Sequence, residues 1–183
     1  MIKKTKKDLW VEMSIREVIT QAHFAEISYS HIDQKAANIN DAVFSSIHSF
    51  LSHCAMISKM LKANDRESFV KSIGFVLGIS DDSIIHQRRF RNHLEHFDQR
   101  MQRWIGKFAT GANIGTYNIG PKSAIQISNM IFVSHYDPNN HTFTFVDEDF
   151  DLSALYVEVQ KIESIANNWI KKMEQGFKKS PFL

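Results

Sequence analysis

Apolar residues recur along this chain at steps of three and four, and the period changes to two over one short stretch. Val11, Ile15, Val18, Ala22, Ala25, Tyr29 and Ile32 fall on one face of a helix, which predicts a helix from 8 to about 32. Val43, Ile47, Phe50, Cys54, Ile57 and Leu61 repeat the pattern over 36–62, with Phe44, His48, Leu51 and Ala55 as a second stripe beside them. A helix apolar over so wide an arc belongs at the centre of a core. Asn64-Asp65 reads as the cap of a shorter helix over 66–77 that carries Phe69, Val70, Ile73 and Leu77 and stops at Gly78.

Ser80-Asp81-Asp82 then reads as the start of a long helix running to Phe108, with Phe90, Leu94, Phe97, Met101, Trp104 and Phe108 as its spine. The character changes at 110–122, where Gly111, Gly115, Gly120 and Pro121 predict a loop. Strands are predicted over 124–135 and 141–147, joined by Asp137-Pro138-Asn139-Asn140, with Phe143 and Phe145 alternating against Thr142 and Thr144. A hairpin alone is marginal in water, so its aromatic face must pack on helices. Asp151 or Ser153 caps a last helix over 152–176, striped by Leu152, Leu155, Val159, Ile162, Ala166, Trp169 and Met173.

The reading is mainly α: a single domain over 1–183, made of a helical core at 8–108, a loop, a small β-hairpin appendage and a C-terminal helix. The 183 residues can bury a sizeable core, and 43% apolar with 23% charged residues is ordinary for a soluble globular protein. No run approaches the roughly 20 apolar residues of a membrane span, and no signal-peptide core follows the lysines at 3, 4, 6 and 7. Those lysines read as a solvated end, with a nucleic-acid arm as the alternative. Cys54 is the only cysteine and lies on an apolar stripe, so a buried, inert thiol in a reducing cytoplasm is expected.

Net charge is only +2, yet its distribution is uneven. Residues 86–108 hold six Lys or Arg, three His and two acids, whereas 137–151 hold Asp137, Asp147, Glu148, Asp149 and Asp151 with no Lys or Arg. Such asymmetry can steer an anionic ligand when the total is near zero. On a regular helix centred on Phe90, Asn92, His96, Gln99 and Arg103 point away from the core, flanked by Arg89, His93 and Arg100 on one side and by Arg88, Arg91 and Glu95 on the other. Arg91 and His96 are five apart, so their tips do not meet on one helix; they meet on something laid over the polar face, or across a two-fold axis. Imidazole, guanidinium and amide together could cleave RNA without a metal, by moving a proton, holding the phosphate and fixing orientation. The plainer alternative is an Arg91–Glu95 surface pair beside a solvated His96.

Arg91-Asn92-His93-Leu94-Glu95-His96 resembles the Arg-polar-X-X-X-His motif of the HEPN superfamily. The family consists of α-helical domains, several of them metal-independent ribonucleases of toxin–antitoxin, CRISPR-associated and abortive-infection (phage-defence) systems. The resemblance implies an antiparallel bundle of about five helices and a homodimer in which two motifs build one composite site. It also implies RNA or a nucleotide as ligand, and an antitoxin partner. Carried over, Arg91 and His96 are the catalytic pair and Asn92 supports them; Arg89, His93, Arg100 and Arg103 are the candidates to bind substrate. Arg88 with His93, and Arg89 with His96, satisfy looser spacings, so the register stays open. A non-catalytic module that binds a nucleotide, RNA or protein through the same basic face is the alternative function. A metal site is not expected, because Glu95 points about 100° away from His96 and the two do not converge with His93 and His86 on one helix. No cofactor is expected, since the glycines at 111–120 have neither phosphate-loop nor dinucleotide-loop spacing.

Overall fold

In the computed structural model the residues described are 4–35, 40–63, 72–87, 97–106, 113–128, 130–146 and 148–178. Among them are five α-helices: α1 (Lys6–Lys35), α2 (Asn40–Leu61), α3 (Ile73–Leu77), α4 (Phe97–Ile105) and α5 (Leu152–Lys178). Six short strands lie between α4 and α5: β1 (Asn113–Gly115), β2 (Asn118–Ile119), β3 (Met130–Phe132), β4 (Ser134–Asp137), β5 (Thr142–Phe145) and β6 (Glu148–Asp151). The chain is mostly helical with a small mixed sheet, and no described helix is long and apolar enough to cross a membrane.

The helical stripes are the core. Ile15, Val18, Ala22 and Ala25 on α1, Val43, Ile47, Phe50 and Ile57 on α2, and Leu152, Leu155, Val159, Ile162 and Ala166 on α5 are all fully buried. α1 lies against both α2 and α5, and the five helices with β2 to β6 contribute to one continuous apolar cluster. An ion network closes the outside of the α1–α5 contact: Glu12 accepts from Lys4 and Arg16, and Arg16 also reaches Glu174 at 3.0 Å. At the other end the Tyr29 ring lies on Tyr156, centroids 4.1 Å apart and nearly parallel. Along α5 the buried line drifts: Ile170 is buried, and Trp169 and Met173 are only partly so. A straight 3.6-residue helix turns its stripe slowly out of register with a three-and-four pattern.

The caps follow local chemistry. Ser72 caps α3, its hydroxyl accepting from Phe75 N, and Gly78 closes the helix at φ +69°, the left-handed conformation that glycine adopts without a Cβ penalty. Asp151 caps α5, taking Ala154 N–H at 2.8 Å. The expected cap at Asn64-Asp65, and the rest of the expected 66–77 helix before Ser72, lie outside the described residues.

The sheet corrects the predicted hairpin. β4 and β5 pair antiparallel through the expected turn, with Tyr136 opposite Phe143. The long strand expected at 124–135 is instead a 3-10 turn (Lys122–Ala124), an extended stretch, and two short strands broken at Val133. The segment expected as a loop supplies β1, parallel to β3, and β2, parallel to β4. β6, read from sequence as part of an acidic run, pairs antiparallel with β5 and completes the order β2-β4-β5-β6. Tyr136, Phe143 and Phe150 form the inner face, and Phe143 packs edge-on to Phe44 and His48 of α2. The hairpin is therefore held by α2, as the alternation required.

The predicted helix start at Ser80-Asp81-Asp82 is also corrected. Asp81 and Asp82 occupy a turn, Ser83 caps a 3-10 turn (Ile84–His86), and Gln87 is extended. The Ser80 hydroxyl takes Asp82 N–H at 3.2 Å and the Ser80 carbonyl takes Ser83 N–H at 3.1 Å, which satisfies the backbone locally and favours a turn over a helix start.

Candidate functional site

The predicted catalytic residues Arg91, Asn92 and His96, with Arg89 and His93, lie outside the described residues. Both flanks of the stretch are described, and each is fixed to the core. On the entering side, Ser83 donates to Glu158 of α5 at 2.6 Å, and His86 Nδ1 lies 3.1 Å from the Ser58 hydroxyl of α2. His86 is buried, and burial lowers its pKa, so the imidazole is neutral near neutral pH. On the leaving side, Trp104 of α4 is buried and Met101 packs against the core.

The two predicted substrate-binding residues that are described differ. Arg100 is mostly covered and donates to Glu148 of β6, so its charge is already engaged. Arg103 is exposed, its Nε donating to the Gln99 carbonyl at 3.2 Å, and the rest of its guanidinium faces solvent. The leaving flank thus gives one arginine to the sheet and one to the surface.

A second constellation lies on the outer face of the sheet. Strand register places Asn118, His135, Thr144 and Asp149 in one row across β2, β4, β5 and β6, because side chains at paired positions share a face. Thr144 donates to Asp149 Oδ1 at 2.5 Å, and Lys122 reaches the same oxygen at 3.0 Å. Burial pushes the Asp149 carboxyl up, but these hydrogen bonds outweigh it and leave the pKa below the usual carboxylate value.

Beside this row Lys122, Ile125, Ile127, Met130, Ile131 and Phe132, with Thr144 and Asp149, line an open pocket of ≈ 470 Å³. Ile127, Met130 and Phe132 give it an apolar wall, and Lys122, Thr144 and Asp149 a polar one. Phe132 also covers His135, with ring centroids 4.6 Å apart. His135 is wholly buried, and neither ring nitrogen makes a hydrogen bond. Burial, with Lys122 nearby, lowers its pKa against the raising effect of the Gly120 backbone, so it is a neutral imidazole. The close fit of Phe132 depends on Gly115, where a Cβ would lie 2.9 Å from two of its ring carbons.

Sequence reading missed this row. Lys122, Thr144 and Asp149 are far apart in the chain, and only strand pairing sets them side by side. The one available signal was the Thr alternation in β5, whose polar positions had to share a face with something.

Two other groups bear on chemistry. Cys54 is buried and burial pushes its thiol pKa well up, so it is not a nucleophile. Among the described residues no group of three or more His, Cys, Asp or Glu could hold a metal ion. Compared with protein-family models, with curated proteins and with solved structures, the chain finds no match.

Proposed function

We propose that this chain is a HEPN-like antiparallel helical protein of the cytoplasm. In this reading it acts as a metal-independent endoribonuclease through Arg91, Asn92 and His96, paired with the same residues of a second copy. His96 takes the proton of a ribose 2′-hydroxyl, whose oxygen attacks the adjacent phosphorus as the bond to the 5′-oxygen breaks. The leaving oxygen regains a proton, and the products are a 2′,3′-cyclic phosphate and a 5′-hydroxyl. Arg91 holds the phosphate and stabilises the charge that builds on it, and Asn92 orients either partner.

The observation that carries the reading is the motif itself, set in a basic stretch of a mostly helical chain. Its support is that both flanks are anchored, by His86 and Ser83 on one side and by Trp104 and Arg100 on the other. A catalytic stretch needs such fixed ends to keep its groups in position.

The test is cleavage of a single-stranded RNA panel in the presence of chelator, with Arg91→Ala and His96→Ala as controls. Cleavage that both substitutions abolish supports the proposal; no cleavage, or cleavage that both leave intact, ends it. The engagement of Arg100 by Glu148 favours a second reading, a non-catalytic module that binds RNA, a nucleotide or a protein through the remaining cations. That reading expects anion binding that weakens with salt and with charge reversal at Arg89, Arg91 and Arg103, without product.

A further inference from the structure

The outer face of the sheet carries a pocket that the ribonuclease reading does not use. Its volume, ≈ 470 Å³, lies in the range of small-molecule sites. Its polar wall is electrically balanced, because the Lys122 ammonium and the Asp149 carboxylate face each other at 3.0 Å. A phosphate or a simple cation would gain at one of these groups and lose at the other. What remains free is directional. Both hydrogen bonds to Asp149 end on Oδ1, which leaves Oδ2 as an acceptor, and Lys122 keeps donors beyond the one it spends on Asp149. The complementary edge is an N–H donor next to an acceptor. The opposite wall, with Ile127, Met130 and Phe132, suits a flat apolar body.

His135 projects from the same face as its cross-strand partner Thr144 but lies under Phe132 and outside the pocket's lining, with the Gly120 backbone beside its ring. It belongs to the layer beneath Phe132, and the ligand meets Lys122, Thr144 and Asp149 instead.

We infer that this pocket binds the base of a nucleoside, a heteroaromatic ring whose donor–acceptor edge meets Asp149 and Lys122 while its flat face lies on the Ile127–Met130 wall. The inference stands apart from the ribonuclease reading, since binding a base requires neither Arg91 nor His96. Two sources share this chemistry, a free nucleoside and a residue of single-stranded RNA.

Isothermal titration of the full chain with adenosine, cytidine, guanosine, uridine and N3-methyluridine tests it. At least one nucleoside should bind, with N3-methyluridine at least about tenfold weaker than the best of them, because its methyl blocks the N–H donor of the edge. Asp149→Asn should weaken binding about tenfold or more by removing the charged acceptor. Ile127→Trp should abolish it by filling the pocket; Ile127 is half exposed, so the larger ring can enter without displacing core. Thermal unfolding checks each variant, and where Asp149→Asn does not fold, Lys122→Met replaces it under the same criterion. Binding of no nucleoside, equal binding of N3-methyluridine, or binding that folded variants leave unchanged overturns the inference. A single-stranded hexanucleotide of the preferred base then assigns the source: tighter binding than the nucleoside points to RNA, weaker binding to the free compound. Cleavage that survives Asp149→Asn separates failure here from failure of the ribonuclease reading.

Discussion

Arg100 of α4 donates to Glu148 of β6, and this pair joins the exit of the basic stretch to the strand that carries Asp149. Glu148 and Asp149 are neighbours on opposite faces of β6, one turned to α4 and the other to the pocket. A displacement of α4 therefore pulls on the strand that forms the pocket's polar wall.

The first prediction concerns this pair. Arg100 is largely covered and Glu148 only partly, so the contact lies between a surface pair and a buried one. Arg100→Ala should cost about 1 kcal/mol, a fall in Tm of roughly 2–4 °C for a chain of this size. A double-mutant cycle with Glu148→Ala measures the coupling, and strictly additive losses would show that the pair contributes nothing.

His135→Phe should stabilise the free protein. It removes two unpaired buried nitrogens from an environment already built around Phe132 and keeps a ring of similar shape. A gain of about 1 kcal/mol is expected, read as a rise in the chemical-denaturation midpoint at unchanged slope. A loss of stability would mean that the imidazole has a structural partner.

Gly115→Ala should destabilise by about 1–3 kcal/mol, because the added methyl meets the Phe132 ring at 2.9 Å and the ring backs onto His135. The same substitution should weaken nucleoside binding, since Phe132 lines the pocket. A neutral result on both counts would indicate that Phe132 has room to move.

Acid should weaken the fold as its buried histidines take up charge. Burial holds His48, His53, His86 and His135 below the ordinary imidazole value of 6.5. The unfolded chain takes up protons near pH 6.5 that the folded chain refuses. The stability these neutral histidines contribute is complete above that pH and declines as the pH falls from it toward the lower folded values. The slope is about 1.4 kcal/mol per pH unit for each proton so gained. Asp149, held below 3.8, adds its own loss only at lower pH. Unfolding midpoints at pH 7.5, 6.5 and 5.5 measure this; a flat series, or one that rises toward acid, contradicts it.

The helical half of the fold was legible because burial writes a period into a helix. Ile15, Val18, Ala22 and Ala25, or Leu155, Val159 and Ile162, have no other economical reading. β6 was illegible because Phe150 is its one buried residue among three acids, too few for an alternation. β1 and β2 are two or three residues long and hold their place by pairing with distant strands, which no local pattern records. The turn at Asp81-Asp82 was misread because the same residues that cap a helix also close a turn. Of the candidate site, the basic stretch was visible as composition. The His135–Thr144–Asp149 row was not, because it exists only in the register between strands.

That register has one more effect, on how these molecules meet each other. β6 is the last strand in the order β2-β4-β5-β6, a template at the end from which another chain could extend the sheet. Glu148, Asp149 and Asp151 place three carboxylates along that template within four residues. Each is tied to another element, Glu148 to Arg100 of α4, Asp149 to Lys122 and Asp151 to the first turn of α5, so an approaching strand competes with those contacts. Where those contacts at α4 and α5 are loosened, the end strand becomes the place where association begins.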